Sequence, residues 1–198
     1  MEGFFINLHR NLSQTPILLT MFPTKNRHHS FTRHYIIQPL LLLLLLMGSV
    51  VMAQEQTTYY LIRHAEKNRS NSENPNPHLT ELGLQRAERW KNVLQHIPFD
   101  RIYSTSFHRT VETALPISKE RNLPITYYDS KELYNKDFAK ANHGKTVLVV
   151  GHSNTTPQLV NKILQQERYP EIPDSLNGRL YIVTLRDQKT FSQLLSIE

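Results

Sequence analysis

The stretch KTVLVVGHSNT, Lys145–Thr155, opens with a run of β-branched and apolar residues and breaks off at Gly151-His152. A strand buried on both faces reads as a continuous apolar run, whereas a half-exposed strand alternates. Lys145–Val150 is therefore read as a central strand of a parallel sheet, with a histidine just past its carboxyl end. Thr57–Ile62, TTYYLI, is β-branched and aromatic, reads as a strand and ends in Arg63-His64-Ala65-Glu66-Lys67. Shorter candidates are Arg101–Thr105 and Leu123–Tyr128. Arg179–Leu185 and Thr190–Ile197 read as two closing strands joined tightly at Arg186–Lys189.

Helical spacing lies between these strands. Thr80 is placed to cap a helix on which Gly83, Ala87, Trp90, Leu94 and Ile97 recur at four- and three-residue steps, one apolar face. Arg86, Glu88, Arg89 and Lys91 fall off that face and are expected in solvent. Arg109–Arg121 is helical in character, with Pro116 expected to kink or split it. Lys131–Asn142 and Thr156–Gln166 complete the set. Asn68–His78 is rich in Asn, Ser and Pro and reads as a loop. Strands alternating with helices predict an α/β fold, a three-layer α/β/α sandwich around a mostly parallel sheet.

The amino-terminal part does not belong to that pattern. Leu40–Leu46 are seven consecutive leucines inside an apolar run that is too short to span a bilayer, for which about 20 residues are needed. Lys25, Arg27 and Arg33 precede it and Val51-Met52-Ala53 follows, as in a secretory signal cleaved before Gln54. The expected organisation is a targeting segment over 1–53 and one domain over 54–198, exported to a periplasm or the exterior. Membrane contact would come only through the apolar run, if it stayed uncleaved. The chain has 198 residues and a formal charge of +6, of which residues 1–53 contribute +3. The remaining +3 is not gathered into a basic arm, so no nucleic-acid partner is expected. The absence of cysteine excludes disulfides, thiolate metal clusters and a catalytic thiol.

Three segments carry chemistry: Arg63–Lys67, Tyr103–Ala114 (YSTSFHRTVETA) and Gly151–Thr155. Each puts an arginine or a histidine at a strand-to-helix junction, where ligands of α/β sheets gather. If the strands are neighbours, two arginines and two histidines converge. Guanidinium forks match phosphate oxygens, and a neutral imidazole is a competent nucleophile. No His-Glu-x-x-His or comparable spacing supports a metallohydrolase built on His64, Glu66 and His152.

With Leu79, Thr80, Gly83, Gln85 and Ala87 added, these segments resemble the histidine phosphatase superfamily, which includes the phosphoglycerate mutases. Its Arg-His-Gly/Ala opening is similar to Arg63-His64-Ala65, its Tyr-Ser…Arg…Thr-Ala segment to Tyr103, Ser104, Arg109, Thr113 and Ala114, and its Gly-His to Gly151-His152. The resemblance covers about Thr57 to Glu198 and implies a phosphoglycerate mutase-like fold. It also implies phosphomonoester hydrolysis through a phosphohistidine on His64, with no metal or other cofactor. Arg63 and Arg109 would grip the phosphoryl oxygens, His152 would hydrogen-bond the same group, and the backbone of Ser153 would add a donor. For the general acid, Asp129 is the first choice because it directly follows a strand, and Glu132 is the second. Glu66 is expected to pair with Arg63 or Lys67 and fix the loop. The implied partner is a small phosphorylated substrate or a phosphoprotein. A phosphomutase and a non-catalytic phospho-ligand binding module are the alternatives.

Overall fold

The computed structural model describes residues 55–197, so the targeting segment read over 1–53 lies outside the described residues. Six strands form one sheet: β1 (Thr57–Arg63), β2 (Arg101–Ser104), β3 (Ile125–Tyr127), β4 (Thr146–Gly151), β5 (Arg179–Arg186) and β6 (Lys189–Ser196). Their order is β3-β2-β4-β1-β5-β6. The first four are parallel, and β5 and β6 add an antiparallel edge. Four helices separate the strands: α1 (Glu81–Val93), α2 (His108–Arg121), α3 (Lys136–Ala141) and α4 (Thr155–Leu164).

The alternation of side chains along β1 and β4 divides the core between the two faces of the sheet. Tyr59, Leu61, Val147 and Val149 pack with Leu159, Val160 and Ile163 of α4. Ile62, Leu148 and Val150 pack on the other face with Trp90 of α1 and with Ala114 and Ile117 of α2. Three layers result, as the sequence predicts.

Thr80 caps α1, its Oγ1 accepting the Gly83 N–H at 3.1 Å. A Cβ on Gly83 would stand 2.2 Å from the Glu66 carbonyl oxygen, so only glycine lets α1 lie against the loop that follows β1. The β5–β6 connection is a two-residue hairpin with Asp187 and Gln188 both at positive φ, a twist that suits paired strands. Among the described residues no helix is long and apolar enough to cross a membrane.

Three local expectations are corrected. Arg86 is not solvated: its Nε donates to Glu66 at 2.7 Å, so Glu66 pairs with Arg86 rather than with Arg63 or Lys67. Pro116 does not split α2, because a proline removes a single helical donor and the packing of Thr113, Ala114 and Ile117 holds the helix through it. The helix read over Lys131–Asn142 shrinks to Lys136–Ala141. Tyr134 sits at φ +44°, and Asn135 caps the shorter helix by accepting the Phe138 N–H at 2.8 Å.

Candidate active site

The register of the two central strands brings the histidines together. Arg63 of β1 pairs with Gly151 of β4, so His64 and His152 leave the sheet side by side. The His64 N–H donates to the Gly151 carbonyl at 2.9 Å, and the two imidazole centroids are 5.5 Å apart. A Cβ at Gly151 would come within 2.7 Å of Thr156 Oγ1 and 3.0 Å of the Tyr128 hydroxyl, which explains the glycine before the second histidine.

His64 is buried, and its Nδ1 lies 2.7 Å from the Ala65 carbonyl oxygen. A carbonyl only accepts, so Nδ1 carries the proton and Nε2 keeps the lone pair. Burial pushes the imidazole down to about 3, opposed by the bond to Ala65 and reinforced by Arg63, His152 and Arg109. His152 is pushed down to about 4, by burial first and then by Arg109, Lys67 and Arg63. Both rings are therefore neutral at pH 7. His152 Nε2 lies 3.0 Å from Thr105 Oγ1, which in turn meets Thr110 Oγ1 at 2.8 Å.

Arg63 and Arg109 are both buried, and the Nε of each has no partner among the described residues. The Arg63 terminal nitrogens are taken up by a strap that crosses the site. Nη1 donates to the carbonyls of Pro173, Asp174 and Leu176 at 3.0–3.4 Å, and Nη2 donates to Asp174 Oδ1 at 2.7 Å. That bond holds the Asp174 carboxyl below the usual range, and Arg69 adds a second contact at 3.2 Å. The Arg109 guanidinium lies 4.4 Å over the Phe107 ring, and its Nη1 donates to the Pro75 carbonyl at 3.4 Å. Thr113 ties the two halves together: its Oγ1 accepts the Ala65 N–H and donates to the Arg109 carbonyl.

The remaining candidates lie at the rim. Asp129 is exposed and lines a groove with Thr105, Ser106, Phe107 and Tyr128, beside the His152 partner. Its Oδ1 accepts the Lys131 N–H at 2.8 Å. Glu132 is exposed on the following turn. No aspartate or glutamate among the described residues is fully buried. The Ser153 hydroxyl turns to Glu171 at 3.1 Å. A cavity of about 440 Å³ lies at the amino end of β1, lined by Thr57, Tyr59, Tyr134 and His143, away from these groups.

Sequence reading missed Thr105 and Asp174. Thr105 sits within the quoted YSTSFHRTVETA segment, one residue past β2, and its position beside the histidine strands was the available signal. Asp174 had none, because only the tertiary path of residues 173–176 brings it to Arg63.

Comparison with known proteins bears out the resemblance. Residues 59–133 match the model of the histidine phosphatase superfamily (branch 1). Solved structures share the fold. The protein histidine phosphatase SixA complexed with tungstate is 19% identical, with a TM-score of 0.57 over 70% of this chain and 96% of that one. The α-ribazole phosphatase from Shigella flexneri is 14% identical, with a TM-score of 0.53 over 71% and 96%. A phosphoserine phosphatase mutant from Entamoeba histolytica, in complex with phosphoserine, is 17% identical, with a TM-score of 0.53 over 69% and 95%. No curated protein matches the chain.

Proposed function

We propose that this chain, similar over residues 59–133 to the histidine phosphatase superfamily, is a phosphomonoester hydrolase that works through a phosphohistidine on His64. One observation carries the reading. A neutral imidazole with its Nδ1 proton pinned stands beside two buried guanidinium groups whose Nε–H donors lack a protein acceptor. A buried donor left unpaired is unfavourable, and a phosphoryl oxygen would satisfy it.

In the first step His64 Nε2 attacks phosphorus, forming an N–P bond as the bond to the leaving oxygen breaks. The leaving oxygen takes a proton from Asp129, with Glu132 as the second choice, or from water. Arg63 and Arg109 offset the charge on the equatorial oxygens. Thr110 has carbonyl acceptors for its proton at Thr105 and Phe107, which leaves the Thr105 hydroxyl to donate to His152 Nε2. His152 then presents Nδ1–H as a donor to the phosphoryl group. In the second step water attacks phosphorus and gives a proton back to the carboxylate or water that supplied one in the first step, the N–P bond breaks, and free phosphate and neutral His64 are restored. The residues act without a metal in this scheme. With no fully buried carboxyl among the described residues to act as acid, the site favours substrates with a good leaving group, such as an aryl phosphate or a phosphohistidine.

The test is p-nitrophenyl phosphate hydrolysis by the full chain. Turnover is expected to persist in EDTA and to fall at least ~10³-fold in His64→Ala, as for loss of a nucleophile. Undiminished turnover in His64→Ala would refute the nucleophile. Phosphate-ester binding without any turnover would make the chain a binding module. Export is part of the proposal, and the amino terminus of the mature protein is expected at Gln54; a mature terminus still upstream of the leucine run would overturn cleavage.

A further inference from the structure

A second group of ligand-type side chains lies outside the reaction described above. His108 and Glu112 stand one helical turn apart at the start of α2, and His78 reaches them from the end of the loop 68–78. One ligand atom from each lies within 4.8 Å of the others. The backbone holds this arrangement from both sides. The Leu79 N–H donates to Glu112 Oε2 at 2.8 Å, and the His108 N–H donates to Asn76 Oδ1 at 2.8 Å. His78 Nδ1 meets Glu112 Oε1, and the two imidazoles stack with centroids 4.1 Å apart.

We propose that His78, His108 and Glu112 bind a divalent cation of the zinc class, which clamps the loop 68–78 to α2. Two imidazoles and a carboxylate, with a fourth position for water, form a donor set suited to zinc, whereas magnesium and calcium select oxygen donors. A tetrahedral zinc with bonds near 2.0–2.1 Å needs its ligand atoms about 3.4 Å apart. Both imidazoles are exposed, so side-chain rotation closes the spacing from 4.8 Å at the expense of their mutual stacking. The cation takes over the contact between His78 Nδ1 and Glu112, and the His78 ring then carries its proton on Nε2. The clamp has a neighbour in the pocket, since Pro75 of the same loop accepts from Arg109.

The full chain, stripped with chelator and then dialysed, is titrated with Zn²⁺ alone by calorimetry and with Co²⁺ as an absorbing probe. One equivalent is expected to bind, with a tetrahedral Co²⁺ band and a rise in melting temperature. His78→Ala/His108→Ala, and Glu112→Gln as the variant that keeps side-chain volume, are expected to weaken binding at least ~10-fold, the loss seen even for outer-sphere partners. His64→Ala is expected to bind as the parent does, and p-nitrophenyl phosphate turnover without zinc should be unchanged in the double variant. No saturable binding to the parent would overturn the proposal. So would binding that survives in the double variant and disappears in His64→Ala, because the cation would then sit on the catalytic pair.

Discussion

His64 owes its tautomer and its neutrality to its immediate neighbours more than to its own residue type. The Ala65 carbonyl fixes which nitrogen bears the proton, and burial among Arg63, Arg109 and His152 keeps the ring neutral. The pairing of His64, His152, Arg63 and Arg109 was legible in the sequence, since Arg63, His64 and His152 lie at or just past the end of a strand and Arg109 lies in the first turn of the helix after β2. The acid was not, because an aspartate after a strand says nothing about its exposure. Asp129 lies in the open groove beside Thr105, and in the proposed mechanism its part as acid depends on the leaving group. Asp129→Asn is expected to slow alkyl phosphate hydrolysis more than aryl phosphate hydrolysis, because poor leaving groups need the proton more. Equal losses of kcat on both substrates would remove Asp129 from the role.

At the level of elements, the site depends on α1 lying close under the loop after β1. Gly83 sets that distance, and Glu66, held by Arg86, stiffens the same loop two residues from His64. Gly83→Ala is expected to destabilise the fold by about 1–3 kcal/mol, the usual cost of overpacking, and to lower kcat because the loop carrying His64 must shift. Thermal unfolding together with kinetics checks this; an unchanged melting temperature would contradict it. The apolar faces of α1 and of the central strands were readable because periodicity reports burial directly. The true start of α3 was not. It turns on Tyr134 adopting a left-handed conformation and on Asn135 serving as a cap, a local choice that composition does not reveal. The loop 68–78 shows the opposite case. Asn68, Asn71 and Asn74 each accept the N–H two residues on, so its asparagine content directly explains its turns.

Across the whole domain, two imidazoles held neutral by burial couple folding to pH. In the unfolded chain they take up protons as the pH falls through their ordinary 6.5, while in the folded chain they resist until about 4 and about 3. Between those limits the unfolded state binds more protons, so stability rises with pH and falls on acidification. The melting temperature is expected to drop from pH 6.5 towards pH 4, and less steeply in His64→Asn/His152→Asn; identical slopes would contradict the assignment. The three layers and the mostly parallel sheet followed from the alternation of segments, whereas the strand order and the strap 173–176 over Arg63 did not, since the contacts of the strap bridge more than 100 residues. The most direct test is to quench the full chain in alkali during turnover of labelled p-nitrophenyl phosphate and map the label by mass spectrometry. Phosphate on the imidazole of His64, absent in His64→Ala, is the predicted result. Steady turnover with no phosphohistidine at that position would contradict the account.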